Sequence, residues 1–321
     1  MGKNKNPSYL QVHRDKTLAN RALTVRGLLE KCTLCPHKCK VNRLDGQLGI
    51  CRIGAKARVA SFGPHFGEES PLVGHNGSGT IFFEGCNLLC IFCQNNDISH
   101  IDKNGDASPQ AVDDLQLAEI MLNLQDQGCH NINLVTPSHV VPQILAALPH
   151  AIEGGLHVPL VYNTGGYDSV NTLRLLAGIV DIYMPDCKFI SSAIAKKYTS
   201  AADYPEVMKK AVQEMFNQVG DLQIDEHGLA VRGLLVRHLV MPGHLDETDG
   251  ILDFLSKEVS QKTYINIMDQ YRPCHKAFGV HPINRALTGE EYEQALAMAD
   301  RKGLHNLDQR DWKRIIRFLG L

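Results

Sequence analysis

The sequence lacks what would send a chain of this size to a membrane, to nucleic acid or out of the cell. Nowhere in its 321 residues does an apolar run approach the roughly 20 residues of a membrane span. The opening stretch MGKNKNPSYLQVHRD is polar and has no apolar signal core, so the expected location is the cytoplasm. Lysine and arginine total 33 against 35 aspartates and glutamates, a formal net charge of −2. So even a balance gives the whole chain no electrostatic footprint for nucleic acid or a membrane surface. There is no repeat of solenoid period and no low-complexity tract. The 44% of apolar residues suffices for one barrel-sized core with a small appendage.

Cysteine, by contrast, is plentiful. Ten are present, and seven fall into two tight groups. In a chain this long without a signal sequence, such grouping favours reduced thiols carrying metal over a disulfide framework, and an oxygen-sensitive protein.

The first group organises the chain. In TIFFEGCNLLCIFCQN the run Ile81-Phe82-Phe83 reads as a short buried strand, and Cys86, Cys90 and Cys93 follow it as C-x3-C-x2-C. Three thiolates on one tight loop can hold a cubane iron–sulfur cluster through three of its four irons, leaving the fourth open. An open iron can be chelated by the amino acid end of S-adenosylmethionine. Phe92, just before the third cysteine, would turn an aromatic face to a bound purine. The alternative is a zinc knuckle, which would need a fourth ligand such as His100.

The second group lies in KCTLCPHKCKVNRLDGQLGIC, where Cys32, Cys35, Cys39 and Cys51 are spaced C-x2-C-x3-C-x11-C. Four thiolates and several glycines in about twenty residues cannot build an apolar core, so a metal is the source of folding energy. Spacing leaves zinc and a second iron–sulfur cluster both open. Such a site either fixes the fold or relays an electron to the first.

Helical and strand-like stretches then alternate. Thr17 to Glu30 reads as a helix, and 53–80 as a Gly- and Pro-rich connection whose His65, Glu68 and His75 are ordinary loop residues. After the first strand come a helix over 115–127, strand 131–135, helix 140–151, strand 158–162, helix 172–176, and strands 180–184, 233–241 and 263–268. Helices at 290–301 and 312–319 end the chain. The expected fold class is α/β, with residues 1–75 an N-terminal helix and cysteine-rich metal-binding extension and residues 76–321 a partial (β/α)6 barrel with C-terminal helices. In such folds ligands sit at the carboxyl ends of the strands, and Thr136-Pro137-Ser138, Asn163 to Gly166 and Asp186-Cys187-Lys188 all fall there.

From Cys32 to Arg301, and most closely in the loop of Cys86, Cys90 and Cys93, the chain resembles the radical S-adenosylmethionine superfamily, in an uncharacterised branch related to pyruvate formate-lyase activating enzymes. The resemblance implies a 4Fe-4S cluster at those three cysteines, S-adenosylmethionine as cosubstrate, and ligand contacts from Asp186, Lys188 and Arg237. Many relatives carry a Gly-Gly-Glu stretch for the methionyl amine where this chain has Thr136-Pro137-Ser138, which leaves Ser138 and nearby carbonyls for that role. Asn163, beside Gly165 and Gly166, is a ribose or carboxylate contact. His139 and His238 are wall residues or proton shuttles. Cys129, Cys187 and Cys274 are buried thiols, Cys187 alone being placed for chemistry.

The expected activity is reductive cleavage of S-adenosylmethionine to a 5′-deoxyadenosyl radical that takes hydrogen from a substrate. Reduced flavodoxin or ferredoxin would be the electron donor and a glycyl radical enzyme the protein substrate. The alternatives are radical modification of a small molecule or another macromolecule, and a non-catalytic iron–sulfur electron-relay module.

Overall fold

The computed structural model describes residues 6–101 and 108–308. In chain order the strands are β1 (Ala57–His65), β2 (Ser78–Phe83), β3 (Ala111–Val112), β4 (Ile132–Val135), β5 (Leu160–Thr164), β6 (Ile182–Pro185), β7 (Gln223–Ile224), β8 (Ala230–Leu239) and β9 (Tyr264–Met268). The helices are α1 (Tyr9–Arg14), α2 (Thr17–Gly27), α3 (Ser70–Val73), α4 (Asn96–Ser99), α5 (Asp114–Asp126), α6 (Val141–Glu153), α7 (Val170–Leu175), α8 (Ser192–Tyr198), α9 (Tyr204–Val219), α10 (Leu245–Phe254) and α11 (Gly289–Arg301). The expected helix at 312–319 lies outside the described residues. No helix among those described is long and apolar enough to cross a membrane.

Five parallel pairings join β2, β4, β5, β6, β8 and β9 side by side in sequence order. The result is a mixed α/β fold around one central sheet. The sheet does not close, because β1 and β3 extend it antiparallel beyond β2 while β9 pairs with β8 at the other side. Parallel strands need crossovers, and the helices supply them on one face. Ile81, Ile132, Leu134, Tyr162, Tyr183, Val236 and Ile265 point to that face and share a core with Leu117, Met121, Leu145, Leu148, Met208 and Met215. Each such side chain withdrawn from water stabilises the fold by roughly 1.5–3 kcal/mol.

Local sequence fixes the crossovers. Asp113 caps α5 by accepting from Gln116 N at 2.9 Å while the Gln116 side chain accepts from Asp113 N at 2.9 Å. In α9, Pro205 occupies the first turn and Met208, Ala211, Val212, Met215 and Val219 are buried at helical spacing. Helices α1 and α2 pack back onto the same layer, with Tyr9 Oη donating to the Val158 carbonyl at 2.9 Å and Ser8 N to Asp181 Oδ1 at 2.8 Å.

Three sequence expectations need correction. The connection expected over 53–80 contains β1 and α3; β1 escapes notice because it carries Gly63 and Pro64, tolerable there because β3 pairs only with Ala57 and Arg58 and leaves that end of β1 a single neighbour, β2. The third barrel strand runs two residues further than its apolar stretch, because Asn163 and Thr164 continue the ladder opposite Met184 and Pro185. Between β6 and β8 the chain forms α8 and α9, for which the sequence reading had assigned nothing.

The inner face of the sheet holds a second, smaller cluster of Val161, Ile182, Met184, Ala230 and Leu235, and Leu72 of α3 completes it. The Leu72 carbonyl accepts from Asn131 Nδ2 at 2.8 Å, just before β4 begins, so α3 plugs the amino ends of the strands. Truncating Leu72→Ala should cost about 2–5 kcal/mol in urea denaturation, and a loss below about 1 kcal/mol would mean the plug is not packed.

Candidate functional site

The loop after β2 is bound tightly at both ends. Gly85 N donates to Ile98 O at 2.8 Å, Ile91 N to Tyr198 O at 3.0 Å and Cys93 N to Cys90 O at 3.1 Å. Gly85 has φ +78, and a Cβ there would meet the Cys51 carbonyl at 2.3 Å. Only glycine fits. Leu88 N donates to Cys86 Sγ at 3.3 Å and Ser99 Oγ to Cys93 Sγ at 3.2 Å, the contacts a thiolate seeks. Burial pushes the Cys86 and Cys90 thiols up, with help from the charge of Cys93 at both and of Cys86 at Cys90. Free, they would be neutral; ligation to a metal is what would hold them ionised.

Cys86, Cys90 and Cys93 line a cavity of about 250 Å³ at the carboxyl ends of the parallel strands. Its walls also include Phe92, Thr136, Asn163, Asp186, Lys188 and Arg237. The three thiols and five of the six ligand contacts expected from the sequence therefore meet in one place. Phe92 is fixed edge-on against Phe189 with ring centroids 5.9 Å apart and against Tyr198 at 6.5 Å. Asn163 and Arg237 meet across the sheet, Arg237 Nη2 donating to Asn163 Oδ1 at 2.7 Å. A Cβ on Gly165 would meet Leu88 at 2.7 Å and one on Gly166 the Asp186 carbonyl at 2.5 Å, so these glycines let the cysteine loop and the strand ends touch.

Charge is concentrated on one side of the cavity. Asp186 accepts from Lys188 Nζ at 2.5 Å and from Arg237 Nε at 2.8 Å. Burial pushes the Asp186 carboxyl up, but Arg237 and Lys188 together outweigh it and hold the group below its ordinary range. Burial likewise works against the charge on Lys188, and Asp186 and Cys90 more than restore it.

Other expectations land elsewhere. Ser138 does not line the cavity: Thr136 adopts a left-handed conformation (φ 59), the following turn folds back, and Ser138 Oγ lies 3.0 Å from Thr164 Oγ1 in a buried network with Asp168. Cys187 is fully buried on the helical side, because alternate residues at a strand end face opposite ways. His238 is buried against the Cys187 carbonyl at 2.7 Å, and burial lowers it to about 4. His139 is likewise lowered to about 4 by burial. His100 hydrogen-bonds Ser99 Oγ at 2.9 Å and stacks near His275, off the cavity wall.

Cys32, Cys35, Cys39 and Cys51 line a second, smaller chamber together with His37, Arg43, Asn87 and His139. Burial pushes Cys35 up to about 12. Among the described residues no three His, Cys, Asp or Glu side chains are spaced for one metal ion.

No protein-family model matches the chain. It is 36% identical over 286 residues to an uncharacterized protein of Methanocaldococcus jannaschii, covering 88% of this chain and 77% of that protein. The chain belongs to that protein's family. Among solved structures it is similar to a radical SAM methyltransferase from Sphaerobacter thermophilus, at TM-score 0.49 and 12% identity over 72% of this chain. It spans 65% of that chain's length, a likeness too distant to bear on function.

Sequence reasoning set Glu68 aside as an ordinary loop residue and missed Glu69. They sit 3.8 and 3.9 Å from the Arg237 guanidinium, and Glu69 Oε1 accepts from Asn266 Nδ2 of β9 at 2.9 Å, linking the two flanks of the open sheet. The only signal was a pair of adjacent acids in a stretch that looked like loop. Burial pushes the Glu69 carboxyl up to about 7 from its ordinary 4.5, against the pull of Arg237 and with help from the Glu68 charge. The native state thus keeps a proton that the unfolded chain releases, and stability falls as pH rises from about 4.5 to about 7. Glu69→Gln should remove this slope, so the variant gains on the wild type in denaturation midpoints between about pH 5 and pH 8. A difference that stays constant across that window would mean Glu69 is an ordinary carboxylate.

Proposed function

We propose that the chain is a radical S-adenosylmethionine enzyme, its cluster held by Cys86, Cys90 and Cys93. The observation that carries this reading is that all three thiols face one cavity at the strand carboxyl ends together with Arg237, Asp186, Lys188, Asn163 and Phe92. The donor set fits a cubane with one open iron, since three thiols border one cavity and no fourth thiol among the described residues lines it. Bound there, the cluster would supply the single electron needed for reductive cleavage of the sulfonium to methionine and a 5′-deoxyadenosyl radical.

The chain's own residues bind and orient. Asp186, kept ionised by its two cations, can accept from an ammonium or a ribose hydroxyl, while Lys188 and Arg237 offer donors to a carboxylate. Phe92 gives an aromatic wall to the purine. Phe82, Leu239 and Met268 line the cavity with apolar surface that keeps water from the reacting centre. With Ser138 behind the wall, Thr136 and the backbone around it are the groups left on that side for the methionyl amine. The resemblance extends the reading to activation of a glycyl radical enzyme in the cytoplasm, with reduced flavodoxin or ferredoxin as donor.

Anaerobically reconstituted protein given dithionite and S-adenosylmethionine should release methionine and 5′-deoxyadenosine, and Cys90→Ala should abolish both. Release at the wild-type rate by the Cys90→Ala protein would sink the proposal. Arg237→Met should weaken S-adenosylmethionine binding by about 10- to 100-fold in equilibrium titration, as expected on losing hydrogen bonds to a charged group.

A further inference from the structure

We propose that Cys32, Cys35, Cys39 and Cys51 hold a second iron–sulfur cluster, counter-charged by the buried Arg43, that hands single electrons to the centre at Cys86, Cys90 and Cys93. The relay rests on the reading of that centre as a cluster; the second site itself does not.

The first argument is charge. Arg43 is 1% exposed, and its guanidinium donates only to carbonyls: Nε and Nη2 to Gly54 O at 3.1 and 2.8 Å, Nη1 to His139 O at 2.9 Å. It forms no ion pair among the described residues. Carbonyls satisfy its hydrogens but not its charge, and an uncompensated buried ion costs several kcal/mol. Arg43 lines the same chamber as the four cysteines. Four thiolates outweigh the positive charge of the metal core they bind, so a loaded site is the anion that Arg43 otherwise lacks.

The second argument is space. The chamber has room for about one water molecule. Four sulfurs each about 2.3 Å from a single zinc ion would crowd against one another and leave no such room. A cluster interposes its own iron and sulfide atoms and holds its thiolates further apart.

Position supplies the role. Asn87, the residue after Cys86, lines both this chamber and the main cavity. Its carbonyl accepts from Nε2 of His37, which lies between Cys35 and Cys39 in the chain, at 2.6 Å. The close approach of Gly85 to the Cys51 carbonyl brings the two cysteine loops into backbone contact. One electron from a reduced flavodoxin- or ferredoxin-class donor would reduce the second cluster, and its transfer to the first would return the second to its oxidised state; no atom moves.

The test is metal content and electron paramagnetic resonance on full-length protein prepared anaerobically, wild type beside a Cys86→Ala/Cys90→Ala/Cys93→Ala variant. The variant should retain iron and acid-labile sulfide in equal amounts, without zinc, and give a resonance signal on reduction. Zinc in place of iron, or a metal-free variant, would overturn the second site. Equal iron in wild type and variant would instead overturn the main centre. For the relay, Cys35→Ser should lose the fast phase of reduction of the main cluster by reduced flavodoxin in stopped flow; a retained fast phase overturns it. Should Cys35→Ser fail to fold, Arg43→Gln keeps the thiols and should lower the midpoint potential of the second cluster, an unchanged potential overturning the counter-charge.

Discussion

Arg237 holds the candidate site together. Its guanidinium, rooted on β8, reaches Asp186 at the end of β6, Asn163 on β5, and Glu68 and Glu69 in the segment leading from β1 to α3. A cation largely withdrawn from water needs anions and acceptors from several directions, and here several strands and a loop supply them. The constraint therefore couples the shape of the sheet to the charge of the cavity. Glu69 carries it further, since its bond to Asn266 ties the β1 flank to β9 where no strand pairing joins them.

The same logic recurs on the other side of the cysteine loop. Arg43 is buried more completely than Arg237, yet its partners are carbonyls and the walls around it are thiols. Two guanidiniums thus mark two chambers, one balanced by carboxylates and one facing cysteines. Between them runs the loop after β2, whose Asn87 belongs to both walls. Such a layout suits chemistry in which charge enters at one place and is used at the next.

Much of the fold was legible because it is written in contiguous residues. Helical and strand periodicities located the six parallel strands and most of their crossovers, and the spacing of Cys86, Cys90 and Cys93 located the cavity. What escaped was polar or broken by glycine and proline. β1 was hidden by Gly63 and Pro64, and the end of β5 by Asn163 and Thr164, whose side chains serve the site and its supporting network, not the core. Ser138 was misplaced for a local reason: a left-handed Thr136 reverses the chain, which spacing along a sequence does not reveal. Cys187 was misjudged although the two-residue period of a strand already turned it away from Asp186 and Lys188.

The sequence alone determined the two thiol sets, the order of strands and helices, and the strand ends on which polar groups cluster, because each depends on neighbours within a few residues. Tertiary structure alone decided which charges meet. That Glu68 and Glu69 face Arg237, that Arg43 faces four cysteines, and that Asn87 belongs to two chambers are facts about segments far apart in the chain. Charge compensation acts through space, and no local pattern records which distant segment will provide it.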